Sequence, residues 1–287
     1  AVPFENRDWR VGFYFNIAHN ENKITEMPDN YTEENYTFNN GEYAYRREEG
    51  RPMGSFYGYR YKGVCQNKDA TYARDADGNV MKDISGNAIV MRNGTATIAP
   101  GDALYEDINH DGVINQYDIV YLGNSNPRFT GGAGVNVSYK QFKLSAIFYG
   151  RYGQDVVNST RLNNESMRGI DNQSTAVLRR WRNEGDQTDI PRALYGEGYN
   201  TLGSDRFVED ASYLRLKSLS FNYRLPKKII QRWGFNNIDV YVTGYNLFTW
   251  TKYTGQDPEV KTENTYARDS ATTPASIQLV AGFNLSF

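Results

Sequence analysis

The chain has little of what enzymes and disulfide-stapled domains are built from. Among 287 residues there is one cysteine, Cys65, which excludes an internal disulfide framework. His19 and His110 are the only histidines, leaving little material for a Ser-His-Asp triad or a zinc centre. No GxSxG, P-loop or HExxH pattern occurs. Gly131-Gly-Ala-Gly134 is no dinucleotide fingerprint, because the third glycine is absent and a strand pattern follows it. Carboxylates are plentiful, but no spacing singles out the pair that glycoside hydrolysis needs, so the sequence predicts no enzyme. Charge of one sign is also lacking. Lys and Arg number 32 against 34 Asp and Glu, and no basic patch or stripe marks a nucleic-acid partner. Mean hydropathy is -0.70, and nothing approaches the roughly 18 consecutive apolar residues of a spanning helix. The first residues, AVPFENRDWR, have neither a basic start nor an apolar core. The expectation is that a leader was removed or that the native start lies elsewhere. The sequence offers no internal repeat and no low-complexity tract.

What is abundant is period-2 alternation and aromatic side chains, which make up 14% of the chain with 23 Tyr. Seven segments read as strands: Asp8–His19, Met53–Val64, Gly131–Lys140, Phe142–Tyr152, Ser212–Leu225, Asn237–Trp250 and Ile277–Phe287. In the last, Ile277, Leu279, Ala281, Phe283, Leu285 and Phe287 share one face. Gln278, Val280, Gly282, Asn284 and Ser286 share the other. A strand between lipid and a polar lumen needs this pattern, and about 10 residues suffice for a tilted crossing. A soluble β-protein can end on such a strand too, but its recurrence at strand after strand makes the expected fold class all-β, an antiparallel transmembrane β-barrel. Tight joins are expected at Lys140–Gln141 and Pro226–Asn236, and long extracellular loops at about 65–128 and 153–211. If Phe287 ends on the inner side of the membrane, strand parity puts both short turns inside and both long loops outside. The join Asn20–Pro52 fits less well, being long yet assigned to the inner side. A short helix is expected over Ser174–Gly185, capped by Ser174. Tyr195, Tyr199 and Trp250 could stack on sugars or anchor at a membrane interface.

The one strong chemical motif is Asp107-Ile-Asn109-His-Asp111-Gly112-Val113-Ile-Asn115-Gln-Tyr-Asp118. Oxygen side chains fall at loop positions 1, 3, 5, 9 and 12, with glycine at the sharp turn of position 6. Asp107, Asn109, Asp111, the Val113 carbonyl, Asn115 and Asp118 form the candidate ligand set for a structural Ca²⁺. Asp118 stands where an EF-hand carries a bidentate Glu, as in dockerin-type loops, yet only one such loop is present. His110 occupies a non-ligand position and is expected to point to solvent.

Four blocks resemble the SusC/RagA type of TonB-dependent outer-membrane transporter. They are Gly54-Ser-Phe-Tyr-Gly-Tyr59, the run from Pro100-Gly-Asp to Gly123-Asn-Ser-Asn-Pro-Arg-Phe-Thr130, Tyr213-Leu-Arg-Leu-Lys-Ser-Leu-Ser-Phe-Asn-Tyr223, and Val242-Thr-Gly-Tyr-Asn-Leu-Phe-Thr249 with Gly255-Gln-Asp-Pro-Glu259. The resemblance implies a plugged barrel of about 22 strands, of which this chain would be the carboxy-terminal portion, about the last seven strands. It implies import of oligosaccharides or peptides across the outer membrane of a Gram-negative bacterium. The implied partners are a SusD-like surface lipoprotein, the remaining barrel and plug, TonB acting through the missing amino-terminal part, and outer-membrane lipid. The alternative is a soluble, calcium-stabilised glycan-binding β-domain. A small passive porin is a third reading, disfavoured by the odd strand count.

Overall fold

The structure, a computed structural model, describes residues 2–28, 40–196, 198–263 and 266–287. Among these, six long strands form one antiparallel sheet: β1 (Trp9–His19), β2 (Phe129–Tyr139), β3 (Phe142–Tyr152), β4 (Tyr213–Arg224), β5 (Asn237–Thr251) and β6 (Gln278–Ser286). They lie in that spatial order, with a two-residue strand, Phe4–Glu5, on the free edge of β1. The architecture is a section of barrel wall. No described helix is long and apolar enough to cross a membrane.

The register makes the two faces chemically unlike. One face carries Trp9, Val11, Phe13, Phe15 and Ile17 of β1, followed through the pairings by Val135 and Val137, then Leu144 and Phe148, and then Leu219 and Phe221. It continues through Val240 and Val242 to Ala281 and Phe283. Among the described residues nothing packs over this face; Phe15 and Phe283 are 72% and 67% exposed. The other face carries Asn16, Thr130, Asn136, Ser145, Arg151, Ser220, Thr243 and Asn284, with glycines among them. Aromatic rings gather at both ends of the apolar face. Trp9 meets Tyr139 at 4.4 Å and Phe142 meets Tyr223 at 4.7 Å at the tight-turn end, while His19 meets Phe129 at 5.0 Å at the other.

The expected strand at Met53–Val64 is not part of this wall. It is two short strands, Ser55–Gly58 and Tyr61–Val64, paired with Val120–Asn124 and Ala103–Tyr105. The physical reason is burial on both sides. Residues 55 to 59 are all buried, and a strand covered on both faces shows a continuous apolar run rather than alternation. Removing it from the wall also removes the misfit of Asn20–Pro52, part of which lies outside the described residues. The chain leaves β1 at His19 and returns at Phe129, so 20–128, 153–212 and 252–277 all emerge at one end. The tight joins 140–141 and 225–236 lie at the other.

The three long connections knit into one lobe, and the buried core sits there rather than in the sheet. Tyr57, Tyr59, Cys65, Met91, Tyr105, Ile114 and Leu202 form its largest cluster. Phe56 packs with Val157, Leu162 and Phe207, and Val156 with Ala211, Tyr253 and Val260. Asp155–Asn158 pairs with Val208–Asp210 and, in parallel, with Tyr266–Asp269. Asp102, 4% exposed, is gripped by the Arg192 guanidinium at 2.7 and 3.1 Å and by Asn200.

The expected helix Ser174–Gly185 shrinks to a 3-10 turn, Thr175–Arg179. Its predicted cap is present, the Ser174 hydroxyl accepting from the Ala176 N–H. Tertiary contacts stop it. The Trp181 N–H is taken by the Ile190 carbonyl, and its ring lies where a Cβ on Gly101 would be 2.3 Å away. The lobe also holds an eight-residue repeat that the sequence reading missed. Asp75-x-x-Gly-Asn79 and Asp83-x-x-Gly-Asn87 form two identical turns, each Asp accepting the N–H groups two and four residues on. They fold 72–90 into a small meander.

Candidate functional site

The Asp107–Asp118 segment closes into a loop through its own carboxylates. Asp107 accepts from the N–H groups of Asp111 and Gly112, and Asp111 from that of Val113. Asn115 caps the 3-10 turn Gln116–Asp118. Gly112, at φ +82°, makes the sharp turn required at position 6. Asp118 is fully buried and bridges the ends, taking the Ile108 N–H on one oxygen and the Asn115 N–H on the other, both at 2.8 Å. Burial pushes its carboxyl above the usual range, against those two hydrogen bonds; the neighbouring charges of Asp107 and Asp111 add to the rise. All six expected ligand residues thus share one loop. Among the described residues, however, no three acidic, histidine or cysteine side chains converge tightly enough to hold a metal, the carboxylates being turned to backbone N–H groups. His110 is exposed, as expected.

The polar face of the wall carries a second arrangement, at the end where the lobe sits. Arg215 of β4 has 3% of its side chain exposed. Its guanidinium holds Asp257 and Glu259 of the connection 252–277, and its Nε donates to the Thr249 hydroxyl. Lys217 reaches the same Glu259 at 2.8 Å. This folds the Gly255–Glu259 block inward over the polar face. Gln154 assists by donating to the Pro258 and Ala211 carbonyls. Sequence reading saw this block only as a family resemblance. The signal available was a charge match, two bases on β4 against two acids in the following connection.

Of the aromatic candidates, Tyr195 is exposed and Tyr199 packs on the lobe core. Trp250 lies on the apolar face of β5, in ring contact with Phe148 and Phe248. A groove of about 830 Å³ runs over that face beside it, lined by Phe15, Ile17, Phe129, Phe148 and Leu214 and floored at Gly131 and Gly150.

No protein-family model matches the chain. TonB-dependent receptor P3 of Formosa agariphila is 33% identical over 269 residues, covering 90% of this chain and 24% of the receptor. TonB-dependent receptor SusC of Bacteroides thetaiotaomicron is 24% identical over 297 residues, 100% of this chain and 25% of SusC. Among solved structures, the RagAB peptide transporter superposes with a TM-score of 0.68 at 26% identity, over all of this chain and 28% of the matched one. The RagAB peptide importer in its open-open state gives 0.67 at 25% identity. The chain therefore spans about a quarter of the length of these relatives.

Proposed function

We propose that this chain, a stretch of a SusC/RagA-type TonB-dependent receptor, builds one section of the wall of an outer-membrane barrel that imports an oligosaccharide or peptide. The observation that carries the reading is the pairing of faces. Across six strands one face is wholly apolar and ringed at both ends by aromatics, and the other is polar. A bilayer solvates the first and a lumen the second. All the long connections leave at one end, as external loops do. Open sheet edges in lipid are not viable, so the neighbouring strands come from the rest of the receptor.

The lobe faces outward in this reading and offers a docking surface to a SusD-like lipoprotein, while TonB acts through parts of the receptor beyond this chain. The chain supplies wall and docking surface rather than chemistry. The test is uptake of the cognate nutrient with the TonB system disabled. Loss of uptake is expected, and uptake at full rate identifies a passive pore. Copurification tests the lipoprotein separately. Solubility without detergent would overturn the membrane reading in favour of a soluble glycan-binding domain.

Ca²⁺ belongs to the same proposal. Asp107, Asn109, Asp111, the Val113 carbonyl, Asn115 and Asp118 supply the hard oxygen donors such a cation takes. What supports it is the buried carboxylate of Asp118 beside two further acids, a charge cluster that a divalent cation would neutralise. Asp107→Ala with Asp111→Ala is expected to remove calcium from the purified receptor and to expose the lobe to protease. Metal analysis that finds no calcium in the intact receptor sinks the claim.

A further inference from the structure

At the lobe end of the polar face, β3 and β4 place two arginines and two tyrosines in a square. Arg151 pairs directly with Tyr213, and Tyr149 with Arg215. The two arginines are in opposite situations. Arg215 is held by Asp257 and Glu259. Arg151 donates through Nε to the Tyr149 hydroxyl at 3.3 Å, and among the described residues no carboxylate lies within ion-pair distance of it. A guanidinium has five N–H donors, so most of its donor edge is free. Tyr213 is only 5% exposed, and its hydroxyl is buried with no hydrogen-bond partner among the described residues. Buried polar groups in native proteins are nearly always paired. On the β2 side the square is bordered by Thr130 opposite Arg151 and Gly132 opposite Tyr149, with Ala18 beyond Thr130 and the Asn16 amide beyond Gly132, where it accepts the Gly132 N–H. The small side chains of Thr130 and Ala18 leave room above the wall next to Arg151. Asp257 and Glu259 pair directly with Arg215 and Lys217, and the Glu259 charge reaches Arg151 without a direct contact.

We propose that this recess binds an oxyanion, a carboxylate or a sulfate ester, carried by the imported molecule. Arg151 grips it through parallel N–H bonds, the Tyr213 hydroxyl gives a third donor, and the Tyr149 ring borders the adjoining part of the ligand. An arginine fork suits such planar, bidentate recognition, and charge-assisted bonds are the strong ones. The proposal rests on the polar face lining an import channel and adds a property of its cargo.

The experiment uses the intact receptor in detergent, titrated calorimetrically with inorganic sulfate, with a uronic-acid trisaccharide and its neutral counterpart, and with an acidic tripeptide. The two carriers tell which kind of molecule bears the anion. Arg151→Gln is expected to weaken binding of sulfate and of the preferred carrier at least tenfold and to flatten its salt dependence. Arg151→Lys should restore part of the affinity, since the charge returns without the fork. Tyr213→Phe should weaken anion binding severalfold while leaving the neutral sugar unaffected. Unchanged anion affinity in Arg151→Gln overturns the proposal. So does absence of sulfate binding together with loss of heat-resistant barrel in Arg151→Gln, which would mean that a carboxylate from elsewhere in the receptor fills the recess. If TonB-dependent uptake persists in either case, the channel reading stands and only the anion site falls.

Discussion

Phe56→Ala tests whether the lobe and the wall are held by separate forces. Phe56 is fully buried and packs against Val157, Leu162 and Phe207, with the Tyr43 ring at 6.4 Å and the Tyr266 ring at 5.5 Å. Truncating such a phenylalanine costs about 3–5 kcal/mol, combining lost transfer energy with a cavity. The two ring contacts favour the upper half of that range. The loss falls on a cluster joining 20–128, 153–212 and 252–277, so it acts on a local opening reaction and not on strand pairing. At about 1.4 kcal/mol per factor of ten, a 4 kcal/mol loss raises the open fraction of the lobe by roughly a thousandfold. When closing is faster than cleavage, proteolysis tracks that fraction. Limited proteolysis of the intact receptor should then cut within the lobe far faster, while heat-modifiable mobility of the barrel on gels stays unchanged. If cleavage is unaltered, or if the barrel loses its heat-modifiable form to the same degree, the separation is wrong.

The wall should respond to charge by depth along a strand. Leu219→Lys, mid-strand on the apolar face of β4, is expected to lower barrel stability by about 2–4 kcal/mol, and Phe142→Lys, beside the tight turn, by about 1 kcal/mol or less; equal losses in urea unfolding of the reconstituted receptor would deny that this face meets lipid. Arg215→Met leaves the partly buried Asp257 without its cation, and breaking such a pair costs about 3 kcal/mol or more. Protease accessibility of 252–261 should rise, and no change would mean the latch is idle. Cys65 is buried, and burial pushes its thiol up to about 11, with a backbone hydrogen bond at Asn67 opposing the rise. The reactive thiolate is therefore scarce near pH 8. A maleimide should label Cys65 only after denaturation or in Phe56→Ala, and prompt labelling of the native receptor contradicts the lobe packing.

The wall was legible because a bilayer is an unusual solvent. It demands an apolar residue at every second position, and β3 and β5 were read to within one residue for that reason. Met53–Val64 misled because aromatic and glycine residues fill it without alternation. Its partners, Ala103–Tyr105 and Val120–Asn124, lie far along the chain, and nothing local announces them. The helix over Ser174–Gly185 failed likewise. The cap was a local signal and proved right, whereas the stop depends on Trp181 meeting Gly101. The Asp107–Asp118 spacing was legible as a loop because each side chain bonds to backbone within a few residues.

The sequence of β4 carries a change of phase that local alternation alone does not explain. On β4 the apolar positions run Leu214 and Leu216, then slip phase to Leu219, Phe221 and Tyr223. The register shifts there, between Leu216 and Ser218, and again against β5 near Asn246, whose φ is +53°. A bulge inserts an unpaired residue and re-aims what flanks it. Without the slip, strict alternation would put Leu219, Phe221 and Tyr223 on the side of Arg215, and the apolar face would break midway along β4. With it, the lower half keeps its apolar residues on the apolar face while Arg215 and Lys217 stay on the polar face at the lobe end. The bulge therefore reconciles two demands on one strand: a continuous apolar wall, and two cations placed to draw Asp257 and Glu259 inward. Because those acids occupy Arg215 and Lys217, Arg151 is the cation of this group left without a carboxylate partner among the described residues, and so open to a ligand.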